Sequence, residues 1–268
     1  MLVSIIIPTK NEKRNIEKCL ESVARQSYPA EKIEIIVVDD NSADRTKEIA
    51  RKYTDKIFNA GSERSAQKNF GARQAAGEWL LFLDADMRLA ENVVAECVKK
   101  ISDDKDIAAL YIPEKIFGRG FWGKARDLER SFYNETAIDA VRFIRRERFV
   151  EVGGFDEKLY AAEDWDLDKK LKRLGKFDII KNSLFHDESD FTVAKYLAKK
   201  KYYVKNFNAY IGKWGKNDSD IKKQFGFGYR YFGVFTENGK WKKLIRHPIL
   251  AAGMYFLRFL VGVKYLMR

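Results

Sequence analysis

The chain has 268 residues, of which 46% are hydrophobic, 34% charged and 14% aromatic, and its formal net charge is +12. This composition excludes a disordered chain, and four prolines with 17 glycines exclude a collagen-like one. The two cysteines, Cys19 and Cys97, are too few for a disulfide scaffold and too far apart for a metal motif, so a reducing compartment is expected.

The N-terminal sequence and the first 83 residues predict a cytoplasmic α/β protein. The first apolar stretch is short and has no basic leader, which argues against a signal peptide. Apolar runs predict strands at residues 2–7, 33–38, 56–59 and 79–83. Helical spacing predicts helices at residues 11–26, 44–53 and 64–76. This order is typical of a parallel sheet that binds its ligands at the carboxyl ends of the strands.

Acidic and polar residues follow three of these strands, as PTKNE at 8–12, DDNS at 39–42 and DAD at 84–86. Because the strands end at the same edge of the sheet, we expect their carboxylates to converge, and converging carboxylates usually require a cation. A single aspartate in such a place can instead cap a helix or form a turn. That alternative applies above all to Asp39 and Asn41.

Four sequence blocks resemble, in order, the motifs of family 2 glycosyltransferases, which transfer a sugar from a nucleotide diphosphate. They are SIIIPTKNE, IIVVDDNSADRT, KNFGARQAAGEWLLFLDADM and GGFDEKLYAAEDWDLDKKLKRLGK. The resemblance implies the GT-A fold, an α/β, Rossmann-like and mostly parallel sheet. It places a catalytic domain at residues 1–190, with the nucleotide-binding half in 1–100 and the acceptor half in 101–190. Residues 191–268 would form a basic, helical extension.

The resemblance also implies nucleotide contacts from the strand ends and from the segment 64–77. The expected contact residues are Pro8, Thr9, Glu12, Asp40, Arg64, Lys68, Asn69 and Asp84. For Arg64 and Lys68 the alternative is a solvated basic helix face. Gly71 is expected to let its helix pack closely on the sheet.

A divalent metal is the implied cofactor, and the implied donor is a nucleotide sugar, with UDP favoured over GDP. Asp86 would bind Mn²⁺ or Mg²⁺ on the two phosphates, where the cation neutralises the leaving diphosphate. In some relatives a histidine at the position of His186 serves as a second ligand, and imidazole is an acceptable one. A structural role at the surface is the alternative for His186.

Glu163 and Asp164 open an amphipathic helix in the fourth block. As an alternative, two acids in the first turn could serve only to stabilise the helix through its dipole. The resemblance makes Asp164 the general base that takes the proton of an acceptor hydroxyl, with Glu163 in a supporting role, and attack opposite the diphosphate inverts the anomeric centre. A polyprenyl phosphate acceptor would need no base, so the pair favours a hydroxyl acceptor.

The C-terminal region carries most of the positive charge, because residues 195–246 have a net charge of +11 and residues 1–194 one of −2. Basic and aromatic residues alternate there, which suits a membrane interface or a single-stranded nucleic acid. In the last segment the apolar run 249–257 is too short to span a bilayer. A helical wheel groups Arg258, Lys264 and Arg268, which predicts a helix lying in the interface. Docking on the catalytic core, or a dimer contact, is the alternative.

These patterns predict a peripheral enzyme on the cytoplasmic face of the cell membrane. Its partners would be a nucleotide sugar, a glycan or lipid-linked saccharide acceptor and the membrane surface, but no nucleic acid. A polyprenyl-phosphate glycosyltransferase is the nearest alternative. A sugar-phosphate nucleotidyltransferase is disfavoured because the first strand is followed by PTKNEKRN, without a glycine-rich loop. A non-enzymatic nucleic-acid- or lipid-binding protein would leave the acidic strand ends unexplained.

Overall fold

The computed structural model describes residues 1–266. By its internal contacts the chain divides into two compact units. Unit 1 comprises residues 1–113, 140–157 and 163–186, and unit 2 comprises residues 114–139, 158–162 and the chain from 187 onward. The division into domains at residue 190 stays a prediction.

Unit 1 is built around a mostly parallel sheet. The strands of the described residues are β1 (Val3–Thr9), β2 (Ile33–Asp39), β3 (Ile57–Asn59), β4 (Trp79–Phe82), β5 (Met87–Leu89), β6 (Ile107–Tyr111), β7 (Glu114–Phe117), β8 (Phe143–Arg145), β9 (Lys176–Ile179) and β10 (Leu184–Asp187). Seven of them form one sheet in the order β3-β2-β1-β4-β8-β6-β9, in which only β8 runs antiparallel to its neighbours. The predicted sheet is therefore confirmed.

The α-helices are α1 (Ile16–Ala24), α2 (Thr46–Ala50), α3 (Arg64–Gln74), α4 (Val93–Asp103), α5 (Gly120–Arg130), α6 (Arg146–Glu151), α7 (Glu163–Leu171), α8 (Val193–Trp214), α9 (Ser219–Phe225), α10 (Val234–Thr236), α11 (Trp241–Arg246) and α12 (Pro248–Leu266). The three predicted helices of the first 83 residues are confirmed, but each is shorter than expected. The first begins only at Ile16, because Asn11 adopts a φ of 57° and its side-chain oxygen accepts the backbone N–H of Ala43.

The two faces of the large sheet bury separate cores, because successive side chains of a strand point to opposite faces. Ile5 and Ile7 of β1 pack with α1 and α4 on one face, whereas Ile6 packs with α3 and α7 on the other. Both cysteines are free and buried in the first of these cores. The two helical layers hold the strand ends, and with them the polar loops, in fixed positions.

Gly71 brings α3 into close contact with the sheet, as predicted. A Cβ atom at this position would lie 2.5 Å from Cγ2 of the buried Ile6. We therefore expect Gly71→Ala to lower the free energy of unfolding by about 1–3 kcal/mol in urea titrations. Gly212→Ala in α8 is the matched control, because a Cβ atom there would have no neighbour within 4 Å outside the backbone of its own helix. This substitution should be neutral or should stabilise the protein by up to about 1 kcal/mol. Equal effects of the two substitutions would contradict this account.

In unit 2, α12 packs against α5 and α8. Arg258 of α12 is buried, and its guanidinium donates to the Glu129 carboxylate at 2.7 Å. The predicted place of Arg258 on an exposed polar arc is therefore wrong, because this ion pair draws the side chain inward. Lys264 is exposed, and Arg268 lies outside the described residues. Within residues 1–266, no helix combines the length and the apolar character needed to cross a membrane.

Candidate active site

The ends of β1 and β2 are joined by a hydrogen-bonded loop. The buried Asp39 accepts the Thr9 hydroxyl at 2.9 Å and both the backbone N–H and the hydroxyl of Ser42 at 2.7 and 2.6 Å. The alternative of a turn-forming Asp39 is thus confirmed. Asp40 forms an ion pair with Lys10 at 2.6 Å. Pro8 is buried in β1 beside Val38.

Lys68 is the centre of a charged cluster at the end of β4. Its side chain is 2% exposed, so the alternative of a solvated basic face is wrong for this residue. The ammonium Nζ lies 3.7 Å from Oδ1 of Asp84 and 3.5 Å from Oδ1 of Asp164. Burial lowers the pKa of Lys68, but the two carboxylates outweigh burial and raise it, so the lysine is charged. One buried cation therefore joins the DAD strand end to the start of α7.

Asp84 has a second cationic neighbour that the sequence did not indicate. The Arg142 guanidinium lies 3.7 Å from its Oδ2. Burial raises the pKa of Asp84, but Lys68 and Arg142 together outweigh burial and hold it well below its usual range. Its Oδ1 is buried and accepts no hydrogen bond from the part of the chain that the structure describes. This oxygen is therefore closed to solvent, while the Asp84 side chain as a whole is 19% exposed.

Glu163 and Asp164 occupy different environments at the start of α7. The Glu163 side chain is 8% exposed, and its Oε1 lies 3.8 Å from the half-exposed Arg64 guanidinium. Burial and then the neighbouring Asp164 raise the pKa of Glu163. The Asp164 side chain is 36% exposed. Of the two carboxylates, Asp164 is the one that a molecule from solvent can reach.

Another acid of this helix, Asp168, fixes the position of α7. The buried Asp168 accepts the Tyr111 hydroxyl at 2.6 Å and the backbone N–H of Val141 at 3.1 Å. These bonds tie α7 to β6 and to the chain leading into β8. The first turn of α7, with Asp164, is thereby held beside the strand ends.

Asp86, in the turn directly before β5, lies close to His186 of β10. Nε2 of His186 in β10 lies 3.1 Å from Oδ2 of Asp86, and β10 pairs with β5 directly after the DAD motif. Burial raises the pKa of the half-buried Glu12, and the charge of Asp86 adds to this rise. These residues therefore concentrate negative charge where the resemblance predicts the cation.

The residues at this point fit a hard divalent cation. A carboxylate oxygen and an imidazole nitrogen are suitable donors for Mn²⁺, and Asp86 and His186 bring one of each to within 3.1 Å. Among residues 1–266, no group of three or more His, Cys, Asp or Glu side chains forms a complete protein site. The other ligands of such a cation would come from the phosphates of a donor.

The structure does not link all of the predicted nucleotide-contact residues to the Lys68 cluster. Within the described chain, no hydrogen bond or ion pair joins Asp40 to the Lys68 cluster. The amide of Asn69 instead bonds both the backbone N–H and the carbonyl of Phe155, each at 2.9 Å, so its polar groups are engaged in packing. Nucleotide contacts from Pro8, Thr9 and Asp40 stay predictions.

The sequence comparisons point to one family. The model of glycosyl transferase family 2 matches residues 4–155. Glycosyltransferase AglE of Haloferax volcanii is 32% identical over 193 residues, which cover 65% of this chain and 62% of AglE. The poly(ribitol-phosphate) β-N-acetylglucosaminyltransferase TarS of Staphylococcus aureus is 30% identical over 145 residues, which cover 51% of this chain and 24% of TarS. The chain thus spans less than two thirds of either relative.

Solved structures share the fold. Mannosyltransferase PcManGT from Pyrobaculum calidifontis, in complex with GDP-Man and Mn²⁺, has a TM-score of 0.63 at 21% identity, covering 99% of this chain and 79% of PcManGT. TarS 1–349 in complex with UDP-GlcNAc has a TM-score of 0.57 at 20% identity, covering 91% and 75%. These likenesses confirm the predicted GT-A fold. The family match over residues 4–155 shows that the chain belongs to glycosyl transferase family 2.

Proposed function

We propose that the chain is an inverting, metal-dependent glycosyltransferase that moves a sugar from a nucleotide diphosphate to an acceptor hydroxyl. The observation that carries this proposal is the buried Lys68 between Asp84 and Asp164. It brings the carboxylate expected at the donor within reach of the carboxylate expected at the acceptor. In an inverting transfer the acceptor hydroxyl attacks the sugar carbon opposite the leaving diphosphate, so the donor-binding carboxylate and the general base must lie close together.

On the donor side, Asp84, whose side chain is 19% exposed, would accept a ribose hydroxyl. Asp86 and His186 would hold Mn²⁺ or Mg²⁺, which acts as a Lewis acid toward the diphosphate when bound. The half-exposed Arg64 would add positive charge beside the phosphates. A UDP-sugar is favoured and a GDP-sugar is possible, because the neighbours TarS and PcManGT are described with UDP-GlcNAc and GDP-Man.

On the acceptor side, Asp164 would act as general base. Its exposed carboxylate would take the proton of the acceptor hydroxyl while the oxygen attacks the sugar carbon opposite the leaving group. Glu163 is buried and would position Arg64 instead of meeting the acceptor. Because the attack is opposite the diphosphate, the configuration of the sugar carbon inverts.

A lipid-linked or cell-surface glycan is the proposed acceptor, at the cytoplasmic face of the membrane. The net charge of +11 in residues 195–246 supports attraction to anionic lipids. Large exposed side chains such as Phe227 and Phe232 support contact with the interface. A polyprenyl phosphate is the alternative acceptor.

Thermal unfolding with UDP, GDP, CDP and dTDP, each with and without Mn²⁺, tests the donor site. We expect one nucleotide to stabilise the protein only with the metal, by about 2.7 kcal/mol at 100 times its Kd. Asp86→Ala should remove the metal-dependent part of this shift, whereas Asp103→Ala, at an exposed position in α4, should keep it. An unchanged shift in Asp86→Ala would exclude Asp86 as a ligand. No response to any nucleotide would favour the non-enzymatic alternative.

A further inference from the structure

Unit 2 contains a cavity of about 460 Å³ whose lining includes no residue of the candidate active site. One part of its wall is apolar and another is basic. The main lining side chains are Ile116, Leu128, Leu250, Lys124, Lys243 and Arg246. The cavity therefore combines apolar surface with three cationic groups.

The cations of this cavity are not neutralised by the protein. Lys243 donates to the carbonyl of Ser131 at 2.9 Å, which fixes its ammonium at the wall. Over the described range 1–266, no carboxylate forms an ion pair with Lys124, Lys243 or Arg246. The acidic residue of the lining, Asp127, accepts the backbone N–H of Ile116 at 2.8 Å. Three cations against one carboxylate give a positive cavity, which attracts an anion.

An exposed apolar stripe begins beside the cavity. Ile249, Phe256 and Phe259 of α12 are 75%, 50% and 62% exposed. Their spacing places them on one face of the helix, and Leu250, next to Ile249, lines the cavity. The buried Leu257 and Arg258 lie among the residues that pack α12 into unit 2. The apolar stripe is therefore held outward on a fixed helix.

We propose that this cavity binds the phosphate-bearing headgroup of an anionic membrane lipid, while the apolar part of the lipid lies against the stripe of α12. A free phosphate would use the cations but not the adjoining apolar surface, whereas a phospholipid uses both. The proposal specifies the membrane contact proposed above and does not depend on sugar transfer. The nucleotide experiment and the lipid experiment can therefore give independent results, and failure of one does not imply failure of the other.

Vesicle co-sedimentation tests the basic part of the site. We expect the full chain to bind phosphatidylcholine vesicles containing phosphatidylglycerol and to bind pure phosphatidylcholine weakly. Lys124→Gln/Arg246→Gln should weaken binding to the anionic vesicles about 10- to 30-fold. The control Lys216→Gln/Lys222→Gln removes the same charge at exposed positions outside the cavity and should weaken it less than about 3-fold. Equal losses in the two double variants would overturn the site in favour of diffuse attraction.

Two further measurements test the apolar part. Ile249→Ser/Phe259→Ser should weaken vesicle binding at least about 10-fold, whereas Val150→Ser, at an exposed position of unit 1, should not. Glycerol phosphate should not displace the vesicles, and full displacement would show a site for phosphate alone and overturn the lipid proposal. Each variant should keep the wild-type midpoint of thermal unfolding without nucleotide, which shows that it is folded. Wild-type vesicle binding in the serine double variant would also overturn the proposal.

Discussion

Asp164→Asn is expected to lower the rate of sugar transfer about 10²–10⁴-fold. The amide keeps the shape of the side chain but cannot take the proton of an acceptor hydroxyl. Nucleotide binding should stay near the wild-type level, because Lys68 remains 3.7 Å from Asp84 and the donor side is unchanged. The rate is measured as release of nucleoside diphosphate from the donor identified by thermal shift, with a lipid extract as the source of acceptors.

Asp106→Asn provides the matched control for this experiment. It makes the same chemical change in a carboxylate that is 78% exposed and belongs to the same unit, so the transfer rate should not change. Full turnover in Asp164→Asn would remove this residue from the role of general base. That outcome would favour the polyprenyl phosphate acceptor, whose oxygen is already anionic and needs no base.

The sequence was sufficient to predict the parts of the fold that depend on local patterns. A buried parallel strand is a continuous apolar run, and the polar residues after it mark the ligand-binding edge. For this reason the bounds of the strands that end at Thr9, at Asp39 and shortly before Asp84 are predictable to within a residue or two. Asp84 and Asp164 were likewise predicted from motifs, and the structure places both beside Lys68.

Ion pairs and hydrogen bonds between residues that are far apart in the sequence could not be predicted, because no pattern in the sequence around either residue indicates its partner. Arg142 stands in the arginine-rich segment VRFIRRER, and only the antiparallel insertion of β8 beside β4 brings it to Asp84. Arg258 and Glu129 are separated by 129 positions, so a helical wheel of the last helix had no information about their ion pair. Asn69 lies in a motif block like a ligand contact, yet its amide is bonded to Phe155.

The charge of Lys68 supports the fold as well as the site. Lys68→Met is expected to lower the free energy of unfolding by about 1–3 kcal/mol at pH 7, because it removes one of the two cations beside Asp84 and a cation near the buried Glu163, and the remaining Arg142 and Arg64 offset these charges only in part. Methionine has a similar volume, so a loss of packing contributes little. Lys68→Arg keeps the charge and should lose much less stability.

The destabilisation of Lys68→Met should decrease as the pH falls from 7 to 4. The folded pKa of Asp84 is lowered in the wild type, so its stabilising contribution is present above the unfolded pKa of about 3.9 and is lost only as the pH falls toward the lower folded pKa. The contribution of Asp84 therefore changes little between pH 7 and pH 4. The folded pKa of Lys68 is raised, so its contribution is complete below the unfolded pKa of about 10.4 and does not change in this range. The narrowing is expected from Glu163, whose folded pKa is raised by burial and by Asp164 and is held down in part by Lys68. Without Lys68 this pKa should rise further, so protonation of Glu163 between pH 7 and pH 4 should relieve its unfavourable charge.

Urea unfolding of the wild type, Lys68→Met and Lys68→Arg at pH 7 and pH 4 measures both effects. Lys18→Met is the control for adding a methionine, because Lys18 is exposed in α1 and should change stability by less than about 0.5 kcal/mol at either pH. A difference between wild type and Lys68→Met that is the same at the two pH values would mean that packing, and not charge, causes the loss. Equal destabilisation by Met and Arg at pH 7 would lead to the same conclusion. We expect Lys68→Met to lose much stability at pH 7 and less at pH 4, and Lys68→Arg to keep most of the wild-type stability. This pattern would mean that Lys68 neutralises the carboxylates on which the proposed reaction depends.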